Sequence, residues 1–253
     1  MVGDLARQGW LRFGPEAAVA GWAAAALACL KGRPLTDLRL GGTWDVGLEA
    51  LPNDAAGAVG GVPLAGRAAE AARALAGDIP LHRAQVSTVL PGYPQPSPDE
   101  SAAAFAFRRD RDSAHVDGIL PIGPERRRIV REPHAWLLGL PLTDCGAGAS
   151  PLVVWDGSHR IMGRAFAAAL GPVAEGDRPF TDITEAYQAA RREVFASCER
   201  IVLHSRPGEA VLLHRHALHG ISPWIEGTEA PPEGRIVAYF RPLLPTVGAW
   251  AAP

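Results

Sequence analysis

The residues with the clearest capacity for chemistry are His115 and Asp117, which stand two positions apart. In extended chain, residues i and i+2 project to the same face, so one cation can contact both side chains while Val116 points away. With one more histidine they would form the two-histidine, one-carboxylate face that suits non-haem Fe(II) and leaves coordination positions open for reaction. The pair therefore predicts a metal site in which local geometry sets two ligands.

The third ligand must come from a distant part of the chain, where three histidines follow one another closely. They are His214, His216 and His219. On a strand that reaches residue 214, His214 and His216 share a face and form a second candidate pair. Spacing alone leaves these alternatives open, since a His-x-Asp pair also occurs by chance in many proteins.

The elements that must position these residues follow from the periodicity of the sequence. Pro and Gly at its two ends delimit a predicted helix near residues 15–31, and a second helix is predicted at residues 67–75. Residues 1–80 are therefore predicted to form a helical region that packs on the core. From residue 81, short β-branched runs between turns predict strands without regular intervening helices. The predicted strands are residues 86–90, 103–107, 136–140, 152–155, 201–204, 210–214 and 236–240.

Two more helices, at residues 158–170 and 182–198, interrupt the strand series as an insertion over residues 158–198. The strands belong to a core over residues 81–242, and no linker divides the chain. We therefore predict a single domain over residues 1–253 that is mainly β with flanking helices, as in a sandwich or barrel.

Four blocks of sequence in a fixed order resemble the phytanoyl-CoA dioxygenase family of Fe(II)/2-oxoglutarate oxygenases. They are residues 114–118, 151–160, 207–220 and 234–241. Together they span most of the predicted core, which makes the resemblance more specific than any one motif. It implies a double-stranded β-helix core, the jelly roll of cupin-like proteins, with iron at its mouth.

Carried over residue by residue, the resemblance implies that His115, Asp117 and His219 are the metal ligands. It also implies that Arg235 holds the far carboxylate of 2-oxoglutarate, a role that suits a guanidinium because it can donate two parallel hydrogen bonds to a carboxylate. Arg241, six residues on, can share the face of Arg235 and is the alternative anchor. The implied cofactors are Fe(II) and 2-oxoglutarate, with O2 as co-substrate, and the implied reaction is hydroxylation of a small molecule.

The sequence departs from the family pattern at three places. Val116 replaces a polar residue between the first two ligands, and Trp224 stands in the turn that follows the distal histidine. Residues 226–234 lengthen the spacing to Arg235, which makes the choice of anchor less secure. His159, in the Gly-Ser-His stretch, is expected to have a structural role.

Two other readings of the same core remain. One is a cupin-like metal enzyme that does not use 2-oxoglutarate, and the other is a non-catalytic binding protein that keeps the jelly roll. The remaining histidines, which have no evident partner, are expected at the surface or in the core: His82, His134 and His204.

The composition of the chain limits the kinds of partner that it is expected to bind. With 25 Lys+Arg against 27 Asp+Glu the net charge is −2, so no overall field favours nucleic acid or an anionic membrane. Three widely spaced cysteines suggest neither disulfides nor a thiolate zinc site, so a reducing, cytoplasmic location is expected. The apolar run over residues 17–30 is too short to span a bilayer.

Seven arginines bracket the first metal motif. They are Arg108, Arg109, Arg111, Arg126, Arg127, Arg128 and Arg131. A solvated, salt-bridged surface is the first interpretation. The second is that the loop over residues 120–133 borders the site and recognises an anionic substrate. The oligomeric state and the substrate do not follow from the sequence.

Overall fold

Short strands and helices alternate in the part of the chain that the computed structural model describes, residues 2–98 and 100–252. The terminal residues of the predicted domain, Met1 and Pro253, lie outside it. The strands are β1 (Trp10–Phe13), β2 (Leu38–Arg39), β3 (Trp44–Asp45), β4 (Gln85–Val89), β5 (Ile119–Ile122), β6 (Arg127–Val130), β7 (Trp136–Pro141), β8 (Leu152–Trp155), β9 (Arg200–Leu203), β10 (Ala210–His214), β11 (His219–Ile221) and β12 (Arg235–Phe240). The helices are α1 (Val2–Gln8), α2 (Ala17–Cys29), α3 (Arg67–Ala76), α4 (Ala102–Asp110), α5 (Ser158–Leu170), α6 (Thr184–Ser197), α7 (Val247–Ala251) and a 3₁₀ helix, Arg178–Phe180.

Ten of the strands in the described residues form two antiparallel sheets that pack face to face, and β5 and β6 form a separate hairpin. The larger sheet has the order β1-β10-β7-β12-β4-β3-β2, and the smaller has the order β11-β8-β9. An antiparallel bridge between His115 and His219 adds the segment around His115 to the edge of β11. From β4 to β12 the chain passes back and forth between the sheets, which is the double-stranded β-helix, or jelly roll.

The interior of the barrel is apolar between the two sheets. Leu137 and Val211 of the larger sheet pack in one buried cluster with Leu152 and Val154 of the smaller sheet. Because side chains alternate along a strand, the neighbouring residues on these strands face away from the barrel interior. The apolar outer face of each sheet must therefore be covered by other elements.

Helices provide that cover on both sides. Trp22 of α2 packs with Leu138 and Phe240 of the larger sheet, in a cluster that also holds α3. Phe166 of α5 packs with Val153 of the smaller sheet, beside buried residues of α6 and α7. The layers are therefore helix, sheet, sheet and helix.

The structure corrects three expectations about elements. The run at residues 103–107 is helical, within α4, because the Ser101 side chain accepts a hydrogen bond from Ala104 N and caps a helix of alanine-rich sequence. Residues 1–80 contain α1 to α3 but also three strands, since β1 to β3 extend the larger sheet. The expected loop over residues 120–133 contains the antiparallel hairpin of β5 and β6.

The other predicted strands are confirmed, each within one residue of β4, β7, β8, β9, β10 or β12. α5 and α6 lie between β8 and β9, where the sequence predicts a helical insertion. Among the described residues, no helix has both the length and the hydropathy that a bilayer-spanning segment needs.

Candidate metal centre

His115, Asp117 and His219 come together at one end of the barrel. Nε2 of His115 lies 3.0 Å from Asp117 Oδ1, and Nε2 of His219 lies 3.7 Å from the same oxygen. One candidate ligand atom from each residue lies within 4.8 Å of the other two, so the group can hold a metal ion. The Asp117 and His219 side chains are 12% and 9% exposed, whereas that of His115 is 48% exposed, so the cluster opens to solvent on the His115 side.

Both histidines carry the same second hydrogen bond, and it fixes which nitrogen is free. Nδ1 of His115 lies 2.9 Å from Ser113 O, and Nδ1 of His219 lies 2.9 Å from Ala217 O. A carbonyl oxygen only accepts, so each Nδ1 donates, and Nε2, the ring nitrogen that faces Asp117, is the one that can bind a cation, as at metal sites generally. Two imidazole nitrogens and one carboxylate oxygen fit Fe(II), with open positions for other ligands.

The electrostatics of the cluster keep Asp117 ionised. Burial by itself would raise the pKa of this carboxyl, but the hydrogen bond from His115 and the charge of Arg241 hold its pKa well below the usual range. Burial, with the neighbouring His115, lowers the pKa of His219 to about 4. A neutral imidazole beside a carboxylate is the protonation state in which both side chains can bind a metal.

Backbone hydrogen bonds place the two histidines opposite each other. His115 N donates to His219 O at 2.8 Å and His219 N donates to His115 O at 3.0 Å. Gly220 allows this close approach, because a Cβ there would lie 2.0 Å from Asp112 O. Val116 is 1% exposed and packs on the outer face of the smaller sheet, so it does point away from the cluster.

Arg241 is part of the same cluster. Its Nη1 donates to Asp117 Oδ2 at 3.2 Å, while Oδ1 of that carboxylate is the oxygen near the two histidines. Nε of Arg241 is buried without a hydrogen-bond partner in the described structure. The alternative anchor of the sequence analysis is therefore in contact with a candidate metal ligand.

Arg235 is the first residue of β12, and Arg241 directly follows the last. Ile236, Ala238 and Phe240 face the outer core, so by alternation Arg235 and Arg241 both face the barrel interior. Arg235 Nη1 is buried without a hydrogen-bond partner among the described residues, which is costly for a charged donor. An anionic group in the barrel would satisfy it.

The backbone around Arg235 is fixed from the segment that follows β7. Oγ1 of Thr143 accepts from Ile236 N at 2.8 Å and donates to Gly234 O at 3.0 Å. Trp224, 9% exposed, packs with Tyr93 and with other apolar residues near this end of the barrel. The unusual turn after the distal histidine thus helps to close the barrel at the Arg235 end.

The competing histidines lie elsewhere. His214 and His216 have ring centroids 5.2 Å apart, and His214 lies 4.9 Å from His159, but among the described residues only the group around Asp117 meets the geometry of a metal site. Nε2 of His159 donates to Ala6 O, a structural role. Ser158, in the same stretch, accepts a hydrogen bond from Leu218 N at 3.0 Å, next to His219.

Two histidines for which the sequence suggested no partner lie beside the cluster. Nδ1 of His134 donates to Arg241 O at 2.8 Å, and Nε2 of His134 lies 3.2 Å from Glu132 Oε2. Nε2 of His82 lies 3.1 Å from the same carbonyl oxygen. Sequence reasoning missed these contacts, since no spacing rule links them to Asp117.

The arginine cluster is largely engaged within the protein. Arg108, Arg109 and Arg127 form ion pairs with acidic neighbours. Three others lie over aromatic rings: Arg111 over Phe195, Arg128 over Tyr187 and Arg131 over Phe180. These contacts favour the interpretation of a partnered surface.

Comparisons with known proteins bear on the fold. No family model matches the sequence, and no curated protein matches it. The chain is similar in structure to AviO1 from Streptomyces viridochromogenes Tue57, with 16% identity and a TM-score of 0.51, over 97% of this chain and 96% of that one. At this identity the similarity is one of fold, and it extends over nearly the whole of both chains.

Two further solved structures are similar at lower TM-scores. EctD from S. alaskensis, with 2-oxoglutarate and 5-hydroxyectoine, has 18% identity and a TM-score of 0.48, over 94% of this chain and 73% of that one. SnoN, a non-heme alpha ketoglutarate dependent epimerase from nogalamycin biosynthesis, has 12% identity and a TM-score of 0.47, over 94% and 79%.

Proposed function

We propose that this protein is an Fe(II)/2-oxoglutarate-dependent oxygenase that hydroxylates a small molecule. The observation that carries the proposal is the pairing of two features on the inner wall of one jelly roll. One is the cluster of His115, Asp117 and His219, which opens to solvent on one side. The other is Arg235, with its unpartnered buried nitrogen.

In this proposal each residue has a distinct task. His115 and His219 present Nε2 to the metal because their Nδ1 atoms donate to backbone carbonyls. Asp117 supplies Oδ1, and because a carboxylate fills that position no site is left for a halide, which favours hydroxylation over halogenation. The metal and 2-oxoglutarate together supply the oxidising power for a C–H bond, while the protein supplies orientation and a dry interior.

The contacts of Arg235 and Arg241 support a division of roles between the two arginines. Arg241 already contacts Asp117, so its Nη1 is engaged at the metal end of the barrel. Nη1 of Arg235 is buried without a hydrogen-bond partner among the described residues, so this guanidinium is free to bind an anion. We therefore assign the far carboxylate of 2-oxoglutarate to Arg235, where a guanidinium can bind it with two parallel hydrogen bonds.

Anaerobic binding of Fe(II) and 2-oxoglutarate tests the proposal. The expected result is a visible charge-transfer band that needs both components, with succinate release when oxygen and a suitable substrate are supplied. Arg235→Met should weaken 2-oxoglutarate binding about 100-fold, because it leaves a buried carboxylate unpaired, while Fe(II) binding persists.

Arg12→Met is the matched control, since Arg12 pairs with Glu209 at the surface, and it should leave the band unchanged. Metal binding without any 2-oxoglutarate band would favour a cupin-like enzyme that does not use this co-substrate. Absence of metal binding would favour a non-catalytic binding protein. An unchanged 2-oxoglutarate affinity in Arg235→Met would contradict the assignment of Arg235 as the residue that binds the far carboxylate.

A further inference from the structure

The contacts of Asp117 divide its two carboxylate oxygens between different partners. Oδ1 lies 3.0 Å from Nε2 of His115 and 3.7 Å from Nε2 of His219. Oδ2 accepts a hydrogen bond from Arg241 Nη1 at 3.2 Å. Both side chains of the Asp117 and Arg241 pair are nearly buried, at 12% and 13% exposure, so water screens their interaction weakly.

The position of Arg241 is itself fixed from two directions. Its carbonyl oxygen accepts from Nδ1 of His134 at 2.8 Å and lies 3.1 Å from Nε2 of His82. His134 is 2% exposed, and its other ring nitrogen lies 3.2 Å from Glu132 Oε2. Since the backbone at the end of β12 is held in this way, the guanidinium approaches Asp117 from a defined side.

We infer that Arg241 is a positioning residue, which binds Asp117 Oδ2 and so makes Asp117 a one-oxygen ligand through Oδ1. The inference rests on the proposed metal site but is independent of 2-oxoglutarate. A carboxylate that binds a metal through both oxygens occupies two coordination positions, and one that binds through a single oxygen occupies one. Arg241 thereby keeps positions open beside the metal.

Positioning and simple charge repulsion predict opposite effects of removing Arg241. A positive charge close to a cation weakens cation binding, so loss of that charge alone would tighten it. A group that orients a ligand strengthens binding, and loss of such groups weakens metal affinity by about 10–100-fold. The direction of the change therefore identifies the role.

Mn(II) titration of the metal-free protein, followed by electron paramagnetic resonance, measures that direction without turnover. Arg241→Met is expected to bind Mn(II) about 10–100-fold more weakly than the unaltered protein. Arg241→Lys keeps the charge but replaces the planar guanidinium with a single ammonium, and is expected to recover only part of the affinity. The visible spectrum of bound Co(II) should report a changed coordination geometry in Arg241→Met.

Arg33→Met is the matched control, because Arg33 pairs at 3.1 Å with the fully buried Asp45, away from the cluster. It should lower thermal stability while Mn(II) affinity and the Co(II) spectrum stay unchanged. Equal or tighter Mn(II) binding in Arg241→Met would overturn the inference, and so would full affinity in a folded Arg241→Lys protein. If the unaltered protein bound no metal, the proposed function would fail, and the inference with it.

Discussion

Gly118, the residue after Asp117, shows how tightly single positions constrain the site. Its φ is +81°, and a Cβ there would lie 1.9 Å from Glu132 O. The backbone nitrogens of Arg131 and Glu132 donate to Gly118 O, so residues 131–132 lie directly against the metal motif. A side chain at Gly118 would have to move this backbone and Asp117 with it.

Gly118→Ala is therefore expected to cost more than backbone strain alone. Strain at a left-handed position costs about 1–3 kcal/mol, and the collision with Glu132 O adds to it. Gly42→Ala is the matched control, with a φ of +82° and nothing within 4 Å of its Cβ. Urea unfolding and Mn(II) titration should show a larger stability loss and weaker metal binding for Gly118→Ala only. Equal losses in both variants would contradict this account.

At the residue scale, the sequence predicts the site residues that belong to a recognisable motif. It does not predict those whose contacts join distant parts of the chain. His115 and Asp117 were found from their spacing, and His219 through the resemblance. The hydrogen bond of Arg241 to Asp117 joins residues 124 positions apart, so no local pattern indicates it. The sequence suggests no partner for His134, whereas in the structure its ring contacts Arg241 O and Glu132 Oε2.

At the element scale, the jelly-roll core was predictable because its strands are apolar, β-branched and separated by strong turn signals. The prediction is wrong at α4. Large and small side chains alternate over residues 103–107 as in a strand, but the Ser101 side chain caps a helix there. The prediction also failed to find β1, which pairs with β10 from Trp10 to Phe13. β1 lies in the region that the sequence predicts to be helical, and its strand conformation comes from pairing with the edge of β10.

At the scale of the whole molecule, a histidine cluster outside the metal site links stability to pH. Burial lowers the pKa of His214 to about 3, and burial also lowers the pKa of His159 and holds that of His216 well below its usual range. The unfolded chain has ordinary histidine values near 6.5, so it takes up protons first as the pH falls. The stability that these neutral histidines contribute is therefore fully present above about pH 6.5, and it is lost as the pH falls towards 3.

His214→Gln isolates one member of this cluster. Below pH 6, each histidine that stays neutral in the folded state lowers the free energy of unfolding by about 1.4 kcal/mol per pH unit. Urea unfolding of the metal-free protein between pH 7 and pH 5 should therefore give a flatter pH dependence for His214→Gln than for the unaltered protein. Parallel curves for the two proteins would show that His214 is charged in the folded state.

A crystal structure with Ni(II) and 2-oxoglutarate tests the central claim most directly, because it shows both the metal ligands and the anchor of the co-substrate. We expect the metal to be bound by Nε2 of His115, Oδ1 of Asp117 and Nε2 of His219. We also expect the far carboxylate of 2-oxoglutarate to bind Arg235, with Arg241 still on Asp117 Oδ2. A metal bound by His214 and His216, or a dicarboxylate that does not reach Arg235, would contradict the account.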